Sequence, residues 1–156
     1  MNAVTVIHVG DFKEKYFRDA EDEYVRRVKP FCDYRTVCIR EEDTHGETSE
    51  KLIEKALAKE AERIRAAIPP RALKIALCVE GSQCSSEQFA ETLAGSEKPV
   101  CFIIGSSFGL DERLKKECDK RISFSKMTFP HMLARVMLAE QVYRAAMIAS
   151  NRRYHK

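Results

Sequence analysis

No window of this 156-residue chain approaches the roughly 18 consecutive apolar residues that a membrane span requires. The first stretch, MNAVTVIHVGDFKEK, has a short apolar run with no basic segment ahead of it, so no signal peptide and a cytoplasmic location are expected. Among six cysteines there is no C-x-x-C, and the spacings Cys32–Cys38 and Cys78–Cys84 match no zinc pattern. Without a secretion signal, reduced thiols are expected; Cys38, Cys78 and Cys101 lie in apolar strand-like runs and should pack as small hydrophobes. No G-x-G-x-x-G, G-x-S-x-G or H-E-x-x-H occurs, and the one loop with two glycines lacks a phosphate-binding lysine. Dinucleotide binding and hydrolysis therefore find no support. The acid-rich EEDTHGETSE holds His45 but no fixed ligand spacing, so it reads as a solvated loop and no metal is expected. Nor is there a repeat, linker or low-complexity stretch, which makes residues 1–156 a single domain.

What is present alternates. Val4 to Val9 is apolar except for Thr5 and His8 and ends at Gly10, the pattern of a strand buried on both faces, with His8 a core residue. Helical spacing from Asp11 to Val28 stops before Pro30, and Tyr34 to Ile39 is a second strand. Ser49 to Ile68 is an amphipathic helix closed by Pro69-Pro70, with Glu47 and Lys51 placed as an i,i+4 pair. Lys74 to Val79 is a third strand. Ser85 to Gln88 has the form of a capping box and opens a helix that runs to Gly95. Val100 to Ile104 is strand four, Leu110 to Cys118 a short helix, and Arg121 to Phe124 strand five. Pro130 falls where a first helical turn tolerates it, before a helix reaching Ser150. This order predicts an α/β fold, a mostly parallel sheet with helices on both faces. Ligands of such sheets bind beyond the carboxyl ends of the strands, an edge that Gly10, Gly81 and Gly105 mark.

Charge and apolar residues are unevenly spread. Residues 115–156 carry ten Lys/Arg against three acids, leaving the first 114 residues net negative in a chain of +3. A basic end suits either a polyanionic partner or a solvated helix face with a basic tail. The last helix has Met132, Leu133, Val136, Met137, Leu138, Val142, Tyr143, Met147 and Ile148 on more than one face. Such a helix must be buried on both sides, either wholly within its own domain or, the reading taken here, at a subunit interface of a homodimer.

Two strand-ending loops, 105–109 and 123–129, lie close in sequence, an economical way to build a pocket. Around them, FIIGSSFGL, SFSKMTFPHMLARVMLAEQVYRA and the terminal RRYHK resemble the ribosomal large-subunit pseudouridine N3-methyltransferase family. That family belongs to the SPOUT class of S-adenosylmethionine-dependent RNA methyltransferases, and the likeness spans the chain, from VIHVGDFKEKYF through KIALCVEG to the end.

The resemblance implies a SPOUT-type α/β knot, a deep trefoil that departs from the rule that chains do not thread. It implies a homodimer that binds S-adenosylmethionine without metal and methylates N3 of a pseudouridine in 23S rRNA, on the assembled ribosome. Carried over, the donor pocket is Leu77, Gly105 and the run Phe124, Ser125, Lys126, Met127, Thr128 and Phe129. Backbone groups of the two loops would read the adenine edge while Leu77, Phe124, Met127 and Phe129 form an apolar lining. The family commonly has Gly-Gly where this chain has Gly105-Ser106, so altered loop detail is expected with activity kept. The tail would complete a site shared between protomers, with Tyr154 and His155 at the reacting base and Arg152, Arg153 and Lys156 on RNA. Histidine is a residue type that can exchange a proton under physiological conditions, so for His155 a base for the N3 proton and a binder that only positions the ring both stay open. Two other readings also stay open: a SPOUT enzyme acting on another RNA such as tRNA, and a non-catalytic ribosome-binding factor.

Overall fold

The computed structural model describes residues 1–156. Five strands form one sheet in the order β2-β1-β4-β3-β5. They are β1 (Val4–Val9), β2 (Tyr34–Ile39), β3 (Leu73–Ser82), β4 (Val100–Ile104) and β5 (Lys120–Ile122). Every pairing is parallel, so the expectation of a mostly parallel sheet sharpens to a wholly parallel one. The two most apolar runs take inner positions: β1 sits between β2 and β4, β4 between β1 and β3, and both are buried along their whole length. That is where a strand covered on both faces belongs.

The helices are α1 (Lys15–Val28), α2 (Glu50–Ala67), α3 (Ser86–Ala94), α4 (Glu112–Glu117) and α5 (His131–Ala149). Val28 of α1, Phe89 and Leu93 of α3 and Leu138 and Val142 of α5 pack with Val6, Ile75 and Phe102 on one face of the sheet. On the other face Ala61 and Ile64 of α2 and Leu114 of α4 meet Ile7, Ala76 and Ile103. Side chains alternate across each strand, so β3 and β4 feed both layers. The two-faced arrangement is as expected.

Local differences have physical reasons. The capping box forms as read: Ser85 Oγ accepts from Gln88 N at 3.2 Å, and Gln88 accepts from Ser85 N at 2.9 Å. Glu47 precedes α2, whose N-cap is Ser49, so it has no helical i,i+4 relation to Lys51. Pro130 is the N-cap of α5 in extended conformation rather than a residue of its first turn. Cys38 is exposed and Cys78 half-buried, against the expectation of burial: β2 is an edge strand, and Cys78 lies where β3 leaves regular pairing. Cys101, on an inner strand, is buried as expected.

The chief departure is β3 itself, which continues past Val79 to Ser82 through an irregularity. Both Leu77 and Ser82 face Ile122 of β5, so the residues between them bulge out of the ladder. Gly81 is therefore inside the strand rather than after it. A Cβ there would lie 2.7 Å from the Ile122 carbonyl carbon, closer than real Cβ contacts, so only glycine lets β5 approach.

Candidate active site

A cavity of about 700 Å³ opens at the carboxyl ends of β3, β4 and β5. Leu77, Gly105, Phe124, Ser125, Met127, Thr128 and Phe129 all line it. Seven of the eight residues assigned to donor binding are thus brought together; Lys126 is exposed and outside the lining. Strand β5 stops at Ile122, two residues before the expected end at Phe124, which frees Phe124 to belong to the loop.

The two loops are held by their own short hydrogen bonds. In the first, Gly109 N donates to Ser106 O at 2.9 Å and Phe108 N donates to Ser106 Oγ at 3.3 Å. Ser106 is buried, and its hydroxyl braces the turn by accepting that bond. A Cβ on Gly105 would stand 2.2 Å from Gly109 O. Gly105 is thus needed so that its own loop can fold back. In the second loop Ser123 Oγ donates to Ser125 O at 2.7 Å, and Met127 N donates to Ser125 Oγ at 3.1 Å. The second loop leaves Met127 exposed at the cavity, as the irregular stretch of β3 leaves Val79.

Some lining residues escaped the sequence. Glu80 and Lys115 form a pair at 2.5 Å on the rim, and Lys115 also reaches Glu112 at 2.7 Å. Burial alone would lower the Lys115 pKa, but the hydrogen bonds it donates to Glu112 and Glu80 outweigh it and hold the ammonium above its ordinary value. Lys115 in turn keeps the Glu80 carboxyl below the usual range. His131 and Ala134, from the first turn of α5, close the far wall, and burial lowers the His131 pKa. Pro130-His131 directly follows the expected loop, which was a usable signal. Nothing in the pattern of α4 marks Lys115 as its inward-facing cation.

Behind that wall, Arg135 is buried and donates to Glu21 at 2.9 and 2.7 Å and to Asp11 at 3.2 Å. Its guanidinium stacks 3.7 Å from the Phe12 ring centroid. His8, buried as expected, lies beside it with Nδ1 2.7 Å from Gly10 O and 3.2 Å from Arg135 Nη1. Burial, then the arginine charge, lowers its pKa to about 4. The imidazole is therefore neutral at pH 7 and the hub ties β1, α1 and α5 together.

The tail lies elsewhere. After α5, Asn151 takes a left-handed φ of 52° and Arg152 N donates back to Met147 O at 2.9 Å, which turns the chain onto its own helices. Tyr154 Oη donates to Glu140 at 3.1 Å, its ring meeting Tyr143 edge-on, with the Arg144 guanidinium 4.8 Å from its centroid. His155 Nε2 is 2.6 Å from Glu87 and its Nδ1 is 3.4 Å from Arg144. The Glu87 carboxyl is held down to about 2 by its own backbone amide and by His155. Neither Tyr154 nor His155 lines the cavity of its own chain. Of the tail cations, Arg152 lies over the Phe31 ring at 5.1 Å, whereas Arg153 and Lys156 are exposed.

The family model described as "Predicted SPOUT methyltransferase" matches residues 1–155. A relative from Bifidobacterium adolescentis named Ribosomal RNA large subunit methyltransferase H is 44% identical, over 98% of this chain and 99% of that protein. One from Streptococcus pyogenes with the same name is 40% identical over the same shares. In fold the chain is similar to a probable methyltransferase from Bordetella pertussis, with a TM-score of 0.56 at 17% identity, covering 93% of this chain and 96% of that one. A probable methylase family protein from Haemophilus influenzae superposes with a TM-score of 0.53 at 12% identity, over 99% and 70%. The α/β architecture, the cavity at the strand ends and a match along the full length agree, and the chain belongs to the SPOUT methyltransferase family, whose fold is the α/β knot.

Proposed function

We propose that the protein transfers a methyl group from S-adenosylmethionine to N3 of a pseudouridine in 23S rRNA, on the assembled large subunit and as a homodimer. What carries the reading is the cavity, whose lining holds seven of the eight donor-binding residues that the resemblance implies. The name shared by relatives at 40–44% identity supports the rRNA target.

The site fits the donor chemically. At about 700 Å³ the cavity is within the range of small-molecule and cofactor sites. Leu77, Phe124, Met127 and Phe129 offer apolar faces, and the backbone of the loops offers N–H and C=O groups to an adenine edge. When bound, S-adenosylmethionine supplies an already activated methyl group. The chain's own work is then to exclude water, orient the acceptor ring and hold or remove the N3 proton.

Tyr154 and His155 are the residues for that work, offered to the cleft by the tail of a second copy. A second cavity of about 390 Å³, between α1, α3 and α5, shares Ile122, Ser123 and Phe124 with the first. Tyr24, Val136, Met137 and Glu140 line it, so a partially covered surface of α5 lies one loop away from the donor. That juxtaposition supports dimerisation through α5 and a site completed across the interface. His155 accepts the proton, Tyr154 stacks on or orients the base, and Arg152, Arg153 and Lys156 contact RNA phosphates. No helix is long and apolar enough to cross a membrane, which agrees with work in the cytoplasm.

Mass-spectrometric mapping of rRNA from cells with and without the protein tests the target directly. One pseudouridine should lose its N3 methyl when the protein is absent. Methylation of tRNA alone by the purified protein would overturn the substrate, and absence of S-adenosylmethionine binding in calorimetry would leave a ribosome-binding factor in its place. Deleting Tyr154–Lys156 should abolish methylation with donor affinity kept within about twofold. Unchanged turnover would refute the shared site.

A further inference from the structure

Strand β5 is a three-residue edge strand, and the short helix before it continues the same border of the sheet. A polar groove of about 520 Å³ runs along this border, and Lys115, Lys116, Lys120 and Arg121 all line it. Glu80, Lys115 and Ile122 line both this groove and the donor cleft, so the two are continuous.

The acids of this border are already engaged. Glu112 pairs with Lys115 at 2.7 Å, Glu117 with Arg65 at 2.8 Å, and Asp119 accepts from the Lys74 backbone amide at 2.8 Å. Lys116, Lys120 and Arg121 are exposed and make no ion pair or side-chain hydrogen bond. The opposite helix edge differs: Lys59 and Arg63 of α2 both pair with Glu42, at 3.6 and 2.6 Å. The groove lining holds four cations against the two carboxylates of Glu80 and Asp119, a surplus of positive charge that suits a polyanion. Across from them Gln88 and Thr92 of α3 add neutral hydrogen-bonding groups.

We propose that this α4–β5 groove is a docking track for the phosphate backbone of the substrate RNA, leading the strand toward the cleft where the acceptor base is placed. The proposal rests on the function given above and names a contact surface distinct from the tail. Lys116, Lys120 and Arg121 bind phosphates, which fix position without reading sequence. The edge suits this work because its cations are anchored on a strand and a helix.

The test is the triple charge reversal Lys116→Glu, Lys120→Glu, Arg121→Glu, with Lys51→Glu, Lys55→Glu on α2 as control. Ribosomes from cells lacking the enzyme serve as substrate, and binding of both ribosomes and protein-free rRNA is measured beside methylation. Donor affinity by calorimetry should be unchanged, which shows the fold intact. The KM for ribosomes should rise on the order of tenfold with kcat within about twofold, and the slope of log affinity against log salt should flatten by about 2, as for three lost phosphate contacts. The control should match the wild type.

Wild-type KM and salt slope in the triple variant would overturn the groove while the methylation assignment stands. Lost ribosome binding with full binding to protein-free rRNA would also overturn it, since the groove would then face a ribosomal protein. If the wild type binds rRNA without methylating it and the variant loses that binding, the groove stands and the reaction falls.

Discussion

Two buried cations, Lys115 in the lining of the donor cleft and Arg135 next to its lining residue Ala134, are paired in opposite ways. Arg135 meets Glu21, itself buried, and is closed in further by Phe12 and His8. Lys115 meets Glu80 and Glu112, whose side chains are 52% and 75% exposed. Removing the first cation strands a carboxylate in the core; removing the second returns its partners to water. The hub fixes the scaffold behind the cleft, while the lysine belongs to the rim and can respond to what binds there.

The sharpest way to break this contrast is Arg135→Met. It leaves Glu21 buried without a partner, and stability should fall by about 3–5 kcal/mol in chemical denaturation. A loss below about 1 kcal/mol would mean that the hub relaxes freely and that the two cations are alike. Gly105→Ala comes next. Its Cβ would press on Gly109 O, a backbone atom that cannot rotate aside, so the 105–109 loop must open. Overpacking of this kind costs about 1–3 kcal/mol, and donor affinity should fall with it. Unaltered affinity in calorimetry would show that this turn does not shape the cleft.

Most of the scaffold was legible because its signals are local. Val100–Ile104 is an uninterrupted apolar run and Val4–Val9 is broken only by Thr5 and His8, and both form inner strands, as such runs require. Ser85 and Gln88 sit three residues apart and cap α3 as their spacing demands. The donor loop 123–129 was found through the family pattern, since apolar residues in a loop cannot be told from core residues by periodicity. What stayed hidden depends on contacts distant in sequence. The bulge in β3 exists because β5 returns to pair with it, and only that return requires glycine at position 81. Arg135 reaches Glu21 across 114 residues, and Lys115 reaches Glu80 across 35. No spacing rule reports such pairs.

The hub should also be readable by pH. His8 is held neutral, with its pKa lowered to about 4 from 6.5. Below its unfolded value the unfolded chain binds the proton more readily than the folded one, so stability is full above about pH 6.5 and is lost as pH falls toward 4. Between pH 7 and pH 5 the wild type should lose about 2 kcal/mol more than His8→Gln, which lacks the titrating ring. Equal losses in the two proteins would mean that the ring is reached by water or repositions when it charges.

The smallest effect is the one that completes the comparison. In Lys115→Met the stem keeps its packing, and Glu80 and Glu112 are left at a solvated rim. Exposed ion pairs contribute about 0–1 kcal/mol, and the burial of the ammonium, which opposes its charge, is relieved. Stability should therefore change by less than about 1 kcal/mol, several times less than at Arg135. The Glu80 carboxyl, no longer held down by the ammonium, should titrate closer to the ordinary carboxylate range, observable by NMR of the labelled side chain. A Lys115→Met protein as unstable as Arg135→Met would place this lysine in the scaffold, and the rim would then be as rigid as the hub.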